Sequence, residues 1–223
     1  MSRTLESFEP AYLEKLRGAV ADNNCIVTNL KCNQRGIDMA SPDAEKRSHA
    51  LKTYKESIDA AKLLGCRWIR PVAGGGKNPD RNLLAESFRE LIDYGADRGI
   101  GILIENTGWV ANDPEAIPDM ISRAGDGLHA SPDTGNWKDD ETRYAGLAGA
   151  YPHAITSDFK AFQFEPNGNH PKYDLEKCFH TGWDAGFRGP WCIEHFHTDL
   201  PGLIKGFATV RDLLRGWINA KNQ

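Results

Sequence analysis

The stretch GIGILIEN, residues 99–106, shows the pattern on which the fold prediction depends. It is a short apolar run that begins at a glycine and ends near a carboxylate, Glu105, as a buried strand followed by a polar loop does. Five further runs of this kind are CIVTNLKC (25–32), CRWIRPVAG (66–74), GLHASPDTGN (127–136), HAITSDFKAF (153–162) and GPWCIEHF (189–196). The sequence therefore predicts six strands.

Longer amphipathic stretches with helical periodicity lie before, between and after these strands. They cover approximately residues 11–22, 43–64, 80–98, 114–124, 139–151, 173–186 and 199–218. Asp43 and Asp80 stand where an N-cap belongs, and Gly65 stands where a left-handed residue ends a helix. Parallel strands need crossover connections such as these helices, so the fold is α/β, either a doubly wound sheet or a (β/α) barrel.

Acidic residues at the strand ends favour the (β/α) barrel over the doubly wound sheet. Four of them fall toward the C-terminal ends of four consecutive predicted strands, where barrel enzymes place their catalytic residues. They are Glu105, Asp133, Asp158 and Glu194. A doubly wound nucleotide-binding sheet needs an early glycine-rich turn, and the triple glycine at 74–76 has neither GxGxxG nor phosphate-loop spacing. We therefore predict a parallel (β/α) barrel of the TIM type.

The composition disfavours several classes of function. The 223 residues carry 27 Lys and Arg against 31 Asp and Glu, and the resulting net charge of -4 disfavours nucleic acid binding through phosphates. Five cysteines form no CxxC pair, and Cys25, Cys66 and Cys192 lie in apolar runs, which indicates reduced core thiols in a cytoplasmic protein. No stretch has the apolar length of a signal peptide or a membrane span, so no membrane partner is expected.

Four short motifs occur in a fixed order along the chain: LIENTGWV, SPDTGNW, TSDFKAF and GFRGPWCIEHFHTD. Their order and spacing resemble the sugar phosphate isomerase/epimerase superfamily. These are the xylose isomerase-like TIM barrels, which include ketose 3-epimerases and, more distantly, endonuclease IV. The resemblance extends from about residue 11 to residue 218. In that family the four motifs lie on strands five to eight, which implies that the first two strands are absent from this chain.

The resemblance also implies that residues 1–223 are a single barrel domain, incomplete at its N-terminus, with six βα units. An open arc of six strands leaves backbone groups unpaired along both edges. Apolar edges of parallel sheets tend to associate. We therefore expect the chain either to form a homo-oligomer or to be less stable than a version extended upstream.

The four carboxylates predict a metal site. Side chains two residues apart share one face of a strand, so all four can point into one barrel mouth, where like charges resist ionising together unless a cation lies among them. The resemblance implies the ligands Glu105, Asp133, Asp158 and Glu194, with Asp158 in the place of the family's histidine. An all-oxygen set favours Mn²⁺ or Mg²⁺ over Zn²⁺, and Co²⁺ is a further candidate. Lys160, on the same face as Asp158, offers another way to neutralise part of this charge.

Further residues near these acids are candidates for substrate binding. Asn136 stands where epimerases of the family often carry a histidine that contacts substrate. Trp109 and Trp137 follow the first two acids, so their indoles either stack on a sugar ring or anchor their loops to the barrel rim. A rival metal pair is His195-x-His197, although strand parity puts both imidazoles on the face opposite Glu194.

The resemblance implies an enzyme that isomerises or epimerises a small sugar, ketose or hydroxy-keto acid. Glu105 and Glu194 would lie on opposite faces of a planar enediolate, one taking a proton and the other returning it, while Lys160 stabilises the oxyanion. The alternative is a metal-free barrel that binds a ligand or a partner without turnover, which the absent histidine and the absent strands favour. Endonuclease IV-like hydrolysis needs a histidine-rich zinc site and a basic surface, and the sequence supplies neither.

Overall fold

Short strands alternate with α-helices in the computed structural model, which describes residues 5–34, 36–74 and 76–222. The strands are β1 (Asn29–Cys32), β2 (Trp68–Pro71), β3 (Gly101–Ile104), β4 (Leu128–Ala130), β5 (Ser157–Lys160) and β6 (Trp191–Glu194). The α-helices are α1 (Pro10–Asp22), α2 (Ala44–Leu64), α3 (Arg81–Ala96), α4 (Ala116–Ala124), α5 (Asp140–Ala150), α6 (Leu175–Asp184) and α7 (Leu200–Lys221). Two 3₁₀ helices, Gly108–Asn112 and Tyr151–His153, follow β3 and α5.

Each strand lies inside its predicted run but is only three or four residues long. The remaining residues of each run form the loops on either side of the strand. For example, β4 ends at Ala130, just before Ser131 and Pro132, and a proline has no N–H to donate to a ladder. One expectation is wrong for this reason: Cys25 precedes β1 and is exposed, and it is not part of the core.

The chain divides into two compact units. The first comprises Met1–Val110 and Pro118–His129, and the second comprises Ala111–Ile117 and Ala130–Gln223. Strands β1, β2 and β3 of the first unit belong to a four-stranded sheet with the order β1-β2-β3-β4. Its first three strands pair in parallel, with Leu30 beside Ile69 and Ile69 beside Ile102. The expectation that residues 1–223 act as one domain stays a prediction.

Local signals determine where the helices of the first unit begin and end. Asp43 caps α2 by accepting hydrogen bonds from the backbone N–H groups of Lys46 and Glu45, which hold the pKa of its carboxyl below the ordinary value. The helix ends at Gly65, whose φ of 75° is left-handed. Asp80 caps α3 through two backbone N–H groups in the same way. Both predicted N-caps and the predicted glycine are therefore confirmed.

The two strands of the second unit have one apolar face and one polar face. β5 and β6 run parallel, with Asp158 beside Cys192 and Lys160 beside Glu194. Phe159 points the other way, since successive strand residues alternate, and it packs into an aromatic-rich core. The core comprises Trp137, Leu147, Tyr151, Phe159, Ala161, Tyr173, Leu175, Cys178, Phe179, Phe187, Val210 and Leu214. Charged side chains of β5 and β6 are thereby left on the face away from this core.

The last helix, α7, is also the longest described, at 22 residues. Asp199 caps it by accepting a hydrogen bond from the N–H of Gly202, and Val210 and Leu214, one turn apart, bury against the aromatic core. Neither α7 nor any other helix within the described ranges is long and apolar enough to cross a membrane.

The five cysteines are free thiols in different environments. Burial raises the pKa of Cys32 and Cys66 to about 11 and that of Cys178 to about 12. Because the thiolate is the reactive form, these three thiols are protected by burial and by their pKa. Cys25 is exposed and Cys192 is half-buried.

We expect Cys25 to react with the thiol reagent DTNB before any other cysteine, because it is the exposed thiol. Cys25→Ser should remove the fast phase of the reaction under native conditions. Cys178→Ser, which changes a buried thiol, should leave that phase intact. Absorbance at the product wavelength, with peptide mapping of the labelled protein, measures both effects. A fast phase that persists in C25S would contradict this assignment.

Candidate active site

A buried ion pair holds the first predicted ligand, Glu105, in the first unit. Glu105 directly follows β3, and its Oε2 lies 2.6 Å from the Nε of Arg70 on β2. Both side chains are only 3% exposed. The Nη2 of Arg70 also donates a hydrogen bond of 2.7 Å to Asn33 Oδ1. Glu105 is therefore fixed and electrically compensated by a residue that the sequence interpretation missed, although an arginine inside the apolar strand WIRP was a signal for it.

We expect Arg70→Met to lower the free energy of unfolding by about 3–5 kcal/mol, because it leaves the Glu105 carboxylate buried without its partner. The matched control is Arg98→Met, whose guanidinium pairs with Asp59 at 2.6 Å on the surface. Solvent screens that pair, so R98M should change the urea midpoint little. Equal losses in the two variants would contradict a special role for the buried pair.

Asp133, the second predicted ligand, is oriented by the backbone of its own loop. Its Oδ1 accepts hydrogen bonds from the N–H groups of Gly135, at 2.7 Å, and Asn136, at 3.0 Å. The loop also pairs with β5 in parallel, because the N–H of Asp158 donates to Pro132 O and the N–H of Thr134 donates to Asp158 O. Asp133 is 0% exposed and Asp158 is 4% exposed. Both carboxylates are therefore carried by the buried edge where this loop meets β5.

Lys160 connects this loop to β6. Its Nζ lies 2.8 Å from Asp133 Oδ2, 3.1 Å from Glu194 Oε1 and 2.6 Å from Asn136 Oδ1. An ammonium has three N–H donors, so these three acceptors match its full capacity. Burial acts to lower the pKa of Lys160, but the charges of Asp133 and Glu194 outweigh it and raise the pKa above its ordinary value. We call Asp133, Asn136, Asp158, Lys160 and Glu194 the carboxylate cluster.

The main chain of Lys160 is held as firmly as its side chain. Its N–H donates to Thr134 Oγ1 at 3.0 Å, and its carbonyl accepts a hydrogen bond of 2.6 Å from the hydroxyl of Tyr173. The sequence interpretation gave neither partner a role, although Thr134 lies within the motif SPDTGNW. Five of the predicted site residues thus belong to one cluster in the second unit, and Glu105 belongs to the pair with Arg70 in the first unit.

The profile described as Xylose isomerase-like TIM barrel matches residues 2–219. This chain belongs to the xylose isomerase-like TIM barrel family. The resemblance inferred from the four motifs and the predicted fold class are both confirmed.

Solved structures with this family's fold superpose on most of the chain. A xylose isomerase domain protein from Planctomyces limnophilus is 18% identical, with a TM-score of 0.71 over 94% of this chain and 82% of that one. D-psicose 3-epimerase, crystallised in the presence of D-fructose, is 16% identical, with a TM-score of 0.70 over 95% and 82%. A xylose isomerase-like TIM barrel protein from Mycobacterium smegmatis in complex with magnesium is 19% identical, with a TM-score of 0.69 over 94% and 79%. At these identities the likeness shows the fold alone. No curated protein matches the chain in sequence.

The two tryptophans considered for stacking on a sugar are both buried in this member of the family. Trp109 is 6% exposed, and the guanidinium of Arg81 lies 4.8 Å from its ring centre. Trp137 is 5% exposed and packs in the aromatic core of the second unit, directly against Gly146 of α5. This burial favours the interpretation that the indoles anchor their loops, and contact with a sugar stays a prediction.

We expect Gly146→Ala to destabilise the second unit by about 1–3 kcal/mol through overpacking. A Cβ at this position would overlap the Trp137 ring, so the indole and its loop must shift. Gly216→Ala on α7 is the matched control, because a Cβ there meets nothing within 4 Å and alanine favours the helix. Urea denaturation followed by tryptophan fluorescence measures both. A G146A protein as stable as G216A would contradict the packing of Trp137 against α5.

The rival pair of histidines packs against α7. His195 Nδ1 hydrogen-bonds to the carbonyl of Ala161, and the ring lies against Gly206. His197 Nδ1 lies 3.1 Å from Asp199 Oδ2, and its ring lies against Gly202. Each imidazole therefore already has a partner of its own, and this arrangement favours a structural role at the start of α7.

Proposed function

We propose that this protein is a divalent-metal-dependent isomerase or epimerase that acts on a small sugar, ketose or hydroxy-keto acid. The observation that carries the proposal is the carboxylate cluster, in which the buried acids Asp133 and Asp158 lie beside Lys160 and Glu194 at the ends of parallel strands. The family places its chemistry at such strand ends, and one structural neighbour is D-psicose 3-epimerase. The expected partner is therefore a sugar-like small molecule, and the net charge of -4 argues against nucleic acid.

The cluster has the donors and the charge that a hard divalent cation requires. Three carboxylates and one ammonium leave a net charge of about -2, which one divalent cation would neutralise. Carboxylate oxygens suit Mn²⁺ and Mg²⁺, and Co²⁺ is a further candidate. We propose Asp133, Asp158 and Glu194 as ligands, with Glu105 as the fourth that the family pattern assigns. A neighbour of the same fold is in complex with magnesium, which supports this choice.

The aspartate at position 158 changes the charge that the proposed site must manage. A histidine there, as the family pattern has, is neutral when it binds a metal, whereas an aspartate adds a negative charge. Lys160, two residues further along the same strand, adds one positive charge to the cluster, where it contacts Asp133 and Glu194. A hard, oxygen-preferring cation suits the all-carboxylate set that the aspartate completes.

Proton transfer by two glutamates is the chemistry that this chain would perform. The metal, when bound, supplies a positive charge that makes the C–H bond next to a carbonyl more acidic. Glu105 would take the proton from one face of the substrate and Glu194 would return it from the other, through an enediolate. Asn136 would hydrogen-bond a substrate hydroxyl. For Lys160 to stabilise the oxyanion, a substrate oxygen must replace one of its three present acceptors.

We expect the protein to exchange a substrate C–H hydrogen with solvent deuterium in the presence of Mn²⁺, and EDTA to abolish this exchange. Glu194→Gln should lower the exchange rate by about 10²–10⁴-fold, because an amide cannot transfer the proton. Glu176→Gln, at an exposed glutamate of α6, is the matched control and should retain full activity. Proton NMR of candidate ketoses in D₂O measures the rate. The absence of exchange with every ketose and hydroxy-keto acid tested would overturn the proposal.

One observation favours the alternative of a metal-free binding barrel. Positive groups of the chain itself already contact three of the four proposed ligands, because Arg70 pairs with Glu105 and Lys160 pairs with Asp133 and Glu194. Metal analysis of the purified protein separates the two functions. An enzyme of the proposed kind takes up about one Mn²⁺, Mg²⁺ or Co²⁺ per chain, whereas a binding barrel takes up none and still binds its ligand.

A further inference from the structure

The carboxylate cluster contains one positive charge of the protein itself, the ammonium of Lys160. Lys160 Nζ lies within 3.1 Å of oxygens from three residues, and its side chain is only 14% exposed. We propose that Lys160 is a permanent counter-ion that assembles the carboxylate cluster when no metal or substrate is bound. Its role in that state is to hold Asp133 and Glu194 together.

The electrostatics of the cluster require such an ion. Asp133 is 0% exposed, so water does not compensate its charge, and Glu194 reaches the same ammonium from β6. Two carboxylates that approach one centre repel each other, and in a buried place this repulsion is poorly screened. Without Lys160, Asp133 would keep the hydrogen bonds from the N–H groups of Gly135 and Asn136 but would lose the positive charge beside it, and Glu194, which is 33% exposed, could turn toward water.

The surroundings of Lys160 keep its stem in one place. Its main chain is held on one side by Thr134 and on the other by Tyr173. The methylene stem and the Tyr173 hydroxyl both lie close to Gly135, where an added Cβ would stand 2.7 Å from Lys160 Cδ and 2.7 Å from the hydroxyl oxygen. A side chain at position 135 would therefore displace them, and glycine leaves the space that they occupy. The ammonium is therefore positioned by packing as well as by charge.

The test uses the full-length protein with the variant Lys160→Met, which keeps most of the stem and removes the charge. We expect K160M to lower the melting temperature in EDTA by about 10 °C, because the variant removes the ammonium that lies 2.8 Å from the fully buried carboxylate of Asp133. Lys221→Met is the matched control, since Lys221 makes an ion pair of the same length, 2.8 Å, with Asp184 on the surface. K221M should shift the melting temperature by less than about 2 °C.

A double-mutant cycle separates a counter-ion from a residue that only fills space. The cycle combines Lys160→Met with Asp133→Asn, which removes the charge of the buried carboxylate and keeps its shape. If Lys160 acts by charge, K160M should cost less than about half as much in the D133N background as in the native background. A cost that is the same in both backgrounds would overturn the proposal. So would a K160M protein that melts within about 2 °C of K221M in EDTA.

A second variant tests the same inference if K160M fails to fold. Gly135→Ala leaves every charge in place, but its Cβ would stand 2.7 Å from both Lys160 Cδ and the Tyr173 hydroxyl that holds the Lys160 carbonyl, so both must shift. The variant should therefore lower the melting temperature in EDTA, and Gly216→Ala should not. If G135A melts like G216A, the proposal is overturned.

Melting experiments with added Mn²⁺ distinguish this inference from the proposed function. Only these experiments rest on the proposed function; the melting experiments in EDTA do not. Saturating Mn²⁺ should restore most of the stability that K160M loses, because a divalent ion supplies the missing positive charge. If EDTA melting behaves as expected but neither the native protein nor K160M responds to Mn²⁺, the proposed metal-dependent function fails and the counter-ion stands. If K160M melts like K221M in EDTA, the counter-ion fails whatever Mn²⁺ does.

Discussion

Buried carboxylates at the ends of parallel strands need positive charge beside them, and the polar part of this protein follows from that requirement. In the first unit Arg70 supplies it to Glu105, and in the second unit Lys160 supplies it to the buried Asp133 and also contacts the half-buried Glu194. A buried ion pair is not by itself a source of stability, because removing two charges from water costs about as much as their attraction returns. Such pairs are therefore better explained by what the carboxylates do than by what they add to the fold.

One short strand carries both the packing and the chemistry of the second unit. Phe159 of β5 enters the aromatic core, whereas Asp158 and Lys160 on either side of it belong to the carboxylate cluster. Tyr173 links the two, since its ring packs in the core and its hydroxyl holds the carbonyl of Lys160. Changes in the aromatic core can therefore reach the cluster without touching a charged residue.

The sequence by itself determined the order of the elements, most of their positions and the family. Strand runs, helical periodicity and the caps at Asp43 and Asp80 are local signals, because each depends on residues a few positions apart. The length of each strand was overestimated, because an apolar run does not show at which residue the backbone hydrogen bonds to the neighbouring strand stop. The exposure of Cys25 was missed for the same reason.

Only the tertiary structure decided which polar partners each buried charge has. Arg70 and its partner Asn33 are 37 residues apart, and Lys160 and Asn136 are 24 residues apart, so no local pattern reports these contacts. The contact between the indole of Trp137 and Gly146 is likewise visible only in the folded chain. It shows that the ring is buried, which the sequence had left open. Composition and period specify which residue types face inward, but the partner of each buried charge depends on how separate βα units pack, and that is a property of the folded chain.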